Sequence, residues 1–595
     1  MTAYELNTKI SALENRISEL PQGSITKKTI NGKIYYYRRI TVDKVRKEQY
    51  ISSEECEILQ PQIEERKKLE AELKSLKKML SNTEIIENDI PFNTNVITGD
   101  TLKRMASSVK KYSIRECFKR LNDFVYSDNQ SKIFILYGLR RTGKTTMILQ
   151  VISQMNETDF SKTAFIQVTE KDTLGKINRD MKLLQSQGYK YIFIDEVTSM
   201  EDFIDGAALF SDIFAACGMN IVLSGTDSLG FVFSEDDELY DRCRFLHTTF
   251  IPYREFERVI GIKGIDEYIR YGGTMSIGGV NYNKTSTFAT KKSADEYVDT
   301  AIANNIQHSL KNYRDGSNFR HLFELYENGE LTNIINRVVE DINHRFTLDV
   351  LTRNFKSNDL AISARNLRHD IQNPTDILDV VDMDLITNAL KNKLEILDKD
   401  EQTVKIDDVH KYEIKEYLML LDMICDVDVE YLPDVSQKTS RTVVSQPGLR
   451  YAQANALIES LLLDATFADL NLSERNRVQD RILSEIKGRM MEDIVLLETK
   501  FANPDKQVFH LQFAVGEFDM VIADKETETC KIFEIKHSQE IIPNQYRHLI
   551  DEEKCHMTEH RFGTITEKVV IYRGESKMVD DIRYWNVEEY LKFEE

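Results

Sequence analysis

The 595-residue sequence has no apolar run approaching the roughly 18–20 residues that a membrane-spanning helix requires, so it reads as a chain without membrane contact. Its N-terminus, MTAYELNTKISALENRI, is polar and helical and lacks the apolar core of a secretory signal. Seven cysteines are scattered singly with no C-x-x-C pair. That argues against a disulfide framework or a structural zinc site and for a reducing, cytoplasmic setting. Positive charge is in deficit: 78 Lys and Arg stand against 98 Asp and Glu, a net charge of −20. Such a chain does not coat nucleic acid along its whole surface, but a local basic patch stays open. A hydrophobic content of 41% with 30% charged residues describes a globular protein, and the length predicts three or four domains.

The clearest motif lies in residues 132–146, KIFILYGLRRTGKTT. The apolar run 133–137 predicts a buried strand, and residues 146–155 have unbroken helical spacing. Between them stand Gly138, Leu139, Arg140, Arg141, Thr142, Gly143, Lys144 and Thr145, matching G-x-x-x-x-G-K-[ST] at every fixed position, with Thr146 following. Glycines in such a loop let backbone N–H groups turn inward around a polyphosphate, and the helix N-terminus adds its dipole. ATP is the expected ligand: Lys144 would reach the β- and γ-phosphates and Thr145 would ligate Mg²⁺. About 50 residues further on, GYKYIFIDEVTSM reads as an apolar strand ending in two acids. Asp195 is placed to hold the Mg²⁺ shell and Glu196 to polarise the attacking water. A third strand, NIVLSGTDS, ends in Ser224 and Thr226, either of which could sense the γ-phosphate, or simply form a strand-end turn. Arg242 and Arg244 follow, each an arginine finger or an ion-pair partner; spacing does not decide.

Upstream, Leu6, Ile10, Leu13, Ile17 and Leu20 step by three and four residues, and Leu69, Leu73, Leu76 and Leu80 repeat the spacing. Two antiparallel coiled-coil helices are expected. The insert 21–53 alternates β-branched, aromatic and basic residues around an Asn31-Gly32 turn signal, predicting a small twisted sheet. Lys27, Lys28, Lys33, Arg38, Arg39, Lys44, Arg46 and Lys47 face only Asp43 and Glu48, and Tyr35, Tyr36, Tyr37 and Tyr50 interleave with them. That composition suits nucleic-acid contact, or else a solvated hairpin whose stalk mediates dimerisation. Residues 81–95 read as a linker.

Toward the C-terminus, residues 513–523, FAVGEFDMVIA, and 530–537, CKIFEIKH, read as strands joined by the polar turn 524–528. Positions i and i+2 of a strand share a face, so Glu534 and Lys536 point together, and a hairpin would bring Asp519 beside them. Glu492 lies upstream in a helical stretch, and Gln545 and His548 could line the same pocket. Glu492, Asp519 and Glu534-x-Lys536 resemble the PD-(D/E)XK nuclease core. The resemblance implies Mg²⁺ held by Asp519 and Glu534, with Lys536 orienting a water. Surface charges on a hairpin, or a nuclease-like fold without catalysis, are the alternatives.

GLRRTGKTT, FIDEV and LSGTDS, with IPYREFERVIG and IDEYIRYGGTM, together resemble the archaeal-type prokaryotic P-loop ATPases of the AAA and STAND-like group. The Pro252–Glu257 and Tyr271–Gly273 segments, and QPGLRYAQANALI later, carry that likeness from about residue 107 onward. The resemblance implies an α/β multidomain fold with a P-loop NTPase parallel sheet (96–260), a helical region (261–400), a winged-helix-like region (401–480) that binds DNA or merely packs, and an α/β PD-(D/E)XK-like domain (481–595); it does not explain the coiled coil with a β-hairpin insert (1–81), which rests on the spacing above. The expected function is an ATP-dependent switch coupled to a Mg²⁺-dependent nuclease-like domain acting on nucleic acid, DNA foremost, through the basic hairpin and the C-terminal domain. Homo-oligomers through the coiled coil or the ATPase domain are open. The alternatives are a non-nucleolytic signalling or scaffold ATPase and, last, a DNA-remodelling motor.

Overall fold

The computed structural model describes residues 13, 16–18, 20–30, 33–42, 45–87, 92–127, 132–200, 203, 208–226, 242–274, 291–303, 320–356, 408–434, 438–463 and 471–593. The chain divides into two compact units, Met1–Asn93 and Thr94–Glu595.

In the first unit, strands β1 (Ser24–Ile30), β2 (Lys33–Val42) and β3 (Val45–Ile51) form an antiparallel sheet with β2 in the middle. The predicted Asn31-Gly32 turn lies outside the described residues, but Ile30 pairs with Lys33 on either side of it. A helix, Ser53–Glu87, follows. Ser52 and Glu55 form a reciprocal cap at its start: the Glu55 N–H donates to Ser52 Oγ at 3.1 Å and the Ser52 N–H to Glu55 Oε2 at 2.8 Å. Arg66 of this helix donates to the Ile17 and Leu20 carbonyls at 2.6 and 2.5 Å, and Ile17, Leu20 and Ile63 are buried. Leu6 and Ile10 lie outside the described residues. The helix reaches Glu87, so it runs through much of the stretch expected to be a linker.

The second unit begins with a six-stranded sheet: β4 (Asn95–Ile97), β5 (Ile133–Tyr137), β6 (Thr163–Gln167), β7 (Tyr191–Asp195), β8 (Asn220–Gly225) and β9 (Cys243–His247), in spatial order β4-β6-β7-β8-β5-β9. All neighbours are parallel except the antiparallel edge strand β4. The inner strands are nearly continuous apolar runs because helices cover both faces of such a sheet. Its core gathers Phe134, Leu136, Ile148, Val151, Phe165, Phe193 and Val222. β8 lies between the phosphate-loop strand and the Asp195 strand, which puts Ser224 and Thr226 next to Asp195 and Glu196.

Two short helices follow, Tyr253–Ile260 and Ile265–Tyr271, then the helices Lys291–Tyr297, Arg320–Glu327 and Leu331–Lys356. Residues 275–290, including most of the polar stretch read from the sequence, and 357–407 lie outside the described residues. Helix Asp408–Leu420 and the antiparallel strands β10 (Ile424–Leu432) and β11 (Lys438–Val444) occupy the region expected to be winged-helix-like. The ribbon is not a free wing. β10 pairs in parallel with β12 (Gln507–Phe513), extending a sheet that continues through β13 (Glu517–Asp524), β14 (Thr529–Lys536), β15 (Thr564–Tyr572), β16 (Lys577–Val579) and β17 (Ile582–Asn586). The order of the eight strands is β11-β10-β12-β13-β14-β15-β17-β16. Helix Leu472–Ala502 packs on this sheet and runs across the expected 480/481 boundary. The physical reason is edge pairing: without β10, one side of β12 would present unpaired N–H and C=O groups.

Candidate functional site

The glycine loop connects β5 to helix Lys144–Gln154. Gly138 adopts φ +135°, and a Cβ there would sit 2.3 Å from the Thr248 carbonyl oxygen, so no other residue fits. Thr142 is buried, its hydroxyl donating to the Leu139 carbonyl at 2.9 Å and meeting the Thr248 hydroxyl at 2.9 Å. Lys144 is also buried, its ammonium donating to the Gly138 and Leu139 carbonyls at 2.8 and 2.9 Å. Burial pushes its pKa down against the opposing pull of Glu196 and Asp195. Leu139 is buried in a cluster with Tyr297, Val298, Met423 and Leu449, and the Arg141 guanidinium lies 5.4 Å from the Tyr297 ring centre. Arg140 is exposed, and Gly143 takes φ +93° at the start of the helix that Thr145 and Thr146 continue.

The two acids after β7 differ in role. Asp195 is buried and accepts from Thr145 Oγ1 at 2.8 Å and from the Ser224 hydroxyl. Glu196 has a left-handed backbone, φ +58°, rare for a side chain of its size and typical of functional turns. Thr226 Oγ1 donates to Glu196 Oε2 at 3.2 Å, and burial raises the Glu196 pKa against the field of Lys144. Thus Ser224 meets the first acid and Thr226 the second. Arg242 forms an exposed ion pair with Asp212, N–O 2.9 Å.

Sequence reading missed the clamp behind the loop. Arg115, 5% exposed, donates to Glu255 Oε2 at 2.8 Å, to the Thr142 carbonyl at 2.9 Å and to the Thr249 and Phe250 carbonyls at 3.2 Å. Glu255 belongs to the Pro252–Glu257 segment. At the start of the same helix, the Tyr253 N–H donates to Glu498 Oε1 at 2.7 Å, on helix Leu472–Ala502. Asp266, on the next helix, meets His537 at 3.0 Å and also binds Arg573. Helix Tyr253–Ile260 is thus tied to the phosphate loop through Arg115 and to helix Leu472–Ala502 through Glu498, while helix Ile265–Tyr271 is tied to the ends of β14 and β15 through Asp266. Gly273, φ +109°, packs against Gln446, where a Cβ would come within 2.7 Å of the Gln446 Cα. This gives Tyr271–Gly273 and the QPG stretch a common physical reason.

On β13 and β14, Asp519, Glu534 and Lys536 converge as the hairpin arithmetic requires. Lys536 Nζ lies 2.9 Å from Asp519 Oδ2 and 2.6 Å from Glu534 Oε2, and the Ile535 N–H donates to Asp519 Oδ2 at 2.7 Å. Both carboxylates are buried, and Glu534 Oε1 is a buried acceptor with no hydrogen-bond partner. Burial drives the Glu534 pKa well up, and its carboxylate neighbours hold the Lys536 pKa well above the usual lysine range. Glu492 is ion-paired to Arg489, and Arg441 stands 3.9 Å from it. Glu492 and Lys536 line one cleft of about 830 Å³, together with Arg441, Arg489, His510 and Gln545. His510 bridges Glu517 at 3.0 Å and the Asp519 carbonyl at 3.1 Å, a contact no linear pattern announces. His548 turns instead to Lys554 at 2.5 Å, just after the short 3₁₀ turn Pro543–Tyr546 that carries Gln545. Among the described residues no group of three or more His, Cys, Asp and Glu side chains is placed to hold a metal ion. The orphaned Glu534 oxygen beside Asp519 nonetheless fits a cation shared by two carboxylates.

Residues 130–257 match the family model described as an AAA domain. The chain thus carries an AAA-type P-loop ATPase domain, which implies nucleotide binding. An uncharacterised protein of Methanocaldococcus jannaschii is 23% identical over 248 residues, covering 37% of this chain and 53% of the relative. The match thus spans about half the length of that relative. Among solved structures, the Aeropyrum pernix Orc1 protein in complex with DNA aligns at 13% identity over 60% of this chain and 96% of that one, with a TM-score of 0.23. At that score it bears on neither fold nor function. Among the described residues no helix is long and apolar enough to cross a membrane.

Proposed function

We propose that this chain is an ATP-binding and hydrolysing switch coupled to a metal-dependent nuclease-like site that acts on nucleic acid, with DNA as the expected substrate. The backbone of Gly138–Thr146 cradles the phosphates, and Lys144 leaves its loop carbonyls for the β- and γ-phosphate oxygens. Thr145 and Asp195, already hydrogen-bonded, would hold Mg²⁺. That ion would neutralise charge developing between the β- and γ-phosphates. Glu196 orients and deprotonates the attacking water, with Thr226 fixing its carboxylate.

Asp519 and Glu534, buried beside the Lys536 that lines the cleft, would hold a second cation, and Lys536 orients water toward a phosphodiester. Such a cation would act as a Lewis acid on the phosphoryl oxygen. The observation that carries this half is the convergence of Asp519, Glu534 and Lys536, with Glu492 lining the same cleft as Lys536. Coupling runs through Arg115, Glu255 and Glu498, which join the Thr142 carbonyl to the helix bearing Glu492. The basic hairpin of the first unit adds a nucleic-acid contact.

One observation favours a second reading, a signalling or scaffold ATPase with an inert C-terminal fold: Lys536 already satisfies both carboxylates. Plasmid nicking with Mg²⁺ or Mn²⁺ separates the two. The nuclease reading expects cleavage by the wild type and none by Asp519→Asn or Lys536→Met. Equal cleavage by all three, or none by the wild type under any nucleotide, sinks it. Nucleotide-dependent assembly without cleavage supports the scaffold reading.

A further inference from the structure

We propose that the three-stranded sheet of the first unit is a stacking platform for single-stranded nucleic acid. This rests on the reading of the hairpin as a nucleic-acid contact and names the face and the form of the ligand. The pairing register sorts its side chains. Thr26 stands opposite Tyr37, Lys28 opposite Tyr35, Tyr37 opposite Tyr50 and Arg39 opposite Glu48. With a two-residue side-chain period, Lys28, Tyr35, Tyr37, Arg39, Glu48 and Tyr50 share one face. The other face carries Ile25, Ile40 and the buried Ile51.

On the first face three tyrosine rings form a continuous group. Tyr50 lies 6.1 Å from Tyr35 and 5.9 Å from Tyr37, centre to centre, and is itself 57% exposed. Tyr35 and Tyr37 are half-buried beneath it, so the group presents an aromatic surface with polar tips. Two cations flank them. The Lys28 ammonium sits 4.7 Å from the Tyr37 ring centre, and Glu48 binds both Lys28 and Arg39. Glu48 thus holds two cations upright while neutralising one, and their side chains stay 41% and 45% exposed. Residues 24–51 carry eight basic and two acidic residues in a chain whose net charge is −20, so this segment is the one that draws a polyanion, and on this face Lys28 and Arg39 are placed to meet it.

The aromatics decide between forms of that polyanion. A duplex offers base edges in its grooves and phosphates outside, and neither stacks on a ring. Unpaired bases offer their faces, and every base can stack on tyrosine whatever its sequence. Rings on β2 and β3, with Lys28 on the other edge strand β1 and Arg39 two residues beyond Tyr37 on β2, match a strand whose bases lie on the tyrosines and whose phosphates meet Lys28 and Arg39.

The test is fluorescence anisotropy of the full chain, in EDTA and without nucleotide, with labelled oligothymidine of about 12 nucleotides and a duplex of equal length. Single strand should bind more tightly than duplex. Tyr50→Ala should weaken single-strand binding about ten-fold, with Tyr50→Phe near wild type because the ring remains. The exposure of Tyr50 keeps this substitution from unfolding the sheet, which circular dichroism checks. Lys28→Ala with Arg39→Ala should weaken both ligands and flatten the salt dependence. Duplex binding equal to single-strand binding, with Tyr50→Ala silent but the double basic variant weak, overturns the platform while leaving a nucleic-acid hairpin. Binding that ignores all three positions overturns both, and a change of mass in Tyr50→Ala without a change in binding marks the face as a contact between copies.

Discussion

Lys144 and Lys536 each stand beside two carboxylates, and they are held in opposite ways. Lys144 is buried and bonded to two neutral carbonyls of its own loop, and desolvation lowers its pKa. Lys536 bridges Asp519 and Glu534, keeps 32% of its side chain exposed, and has its pKa driven up. The first ammonium is under-compensated, so an anion is the missing partner. The second is compensated by two buried carboxylates, of which burial pushes Glu534 toward its neutral form. One chain thus contains two acid–lysine sites of similar composition and opposite electrostatics.

The strongest way to break this comparison is to remove the first lysine. Lys144→Ala should weaken nucleotide binding at least about a hundred-fold by equilibrium titration, because a charge-assisted bond to phosphate is lost inside the loop. Glu196→Gln should keep binding and lose turnover by about 10²–10⁴. If Lys144→Ala hydrolyses ATP at the wild-type rate, the assignment of the loop fails.

Next in size is the clamp behind the loop. Arg115→Met leaves Glu255 buried without its partner and should cost about 3–5 kcal/mol, read as a lowered Tm. The double variant with Glu255→Gln should recover part of the loss. A smaller effect comes from Glu498, whose buried carboxyl is pushed up to about 7. Its pKa is raised, so the unfolded chain ionises first as pH climbs from 4.5, and stability falls across that window until pH passes about 7. Glu498→Gln retains an acceptor for the Tyr253 N–H and should remove that decline, gaining up to about 3 kcal/mol at pH 8. Identical Tm differences between pH 5 and pH 8 in the two proteins would refute it. Smallest of all, Arg242→Ala should change stability by less than about 0.5 kcal/mol, because its pair with Asp212 is solvent-exposed.

The sequence made some of this legible and hid the rest for one reason. Gly138 to Thr145, Asp195 next to Glu196, and Glu534 two before Lys536 are spacings within single elements, where backbone geometry alone fixes what side chains share. The Asp519 hairpin partner was readable because its turn is local. Arg115 meets Glu255 across 140 residues, and Tyr253 meets Glu498 across 245. No period or motif encodes such approaches; they follow from how helices stack on sheets. The Pro252–Glu257 and Tyr271–Gly273 segments could be noticed as familiar, but their cause is tertiary: one supplies Glu255 to the clamp, the other yields space to Gln446. The β10–β11 ribbon read as a wing for the same reason. Its own hairpin is local, while the strand it pairs with, β12, comes only after two further helices.

That ribbon also decides how the protein can be divided. A fragment begun at residue 481 would start inside helix Leu472–Ala502 and leave the Val429–Leu432 side of β12 unpaired at His510–Phe513. Such an edge recruits strands from other molecules. The C-terminal sheet is therefore assembled only after the chain has passed through both regions, and a piece that keeps all eight of its strands has to begin at or before Ile424.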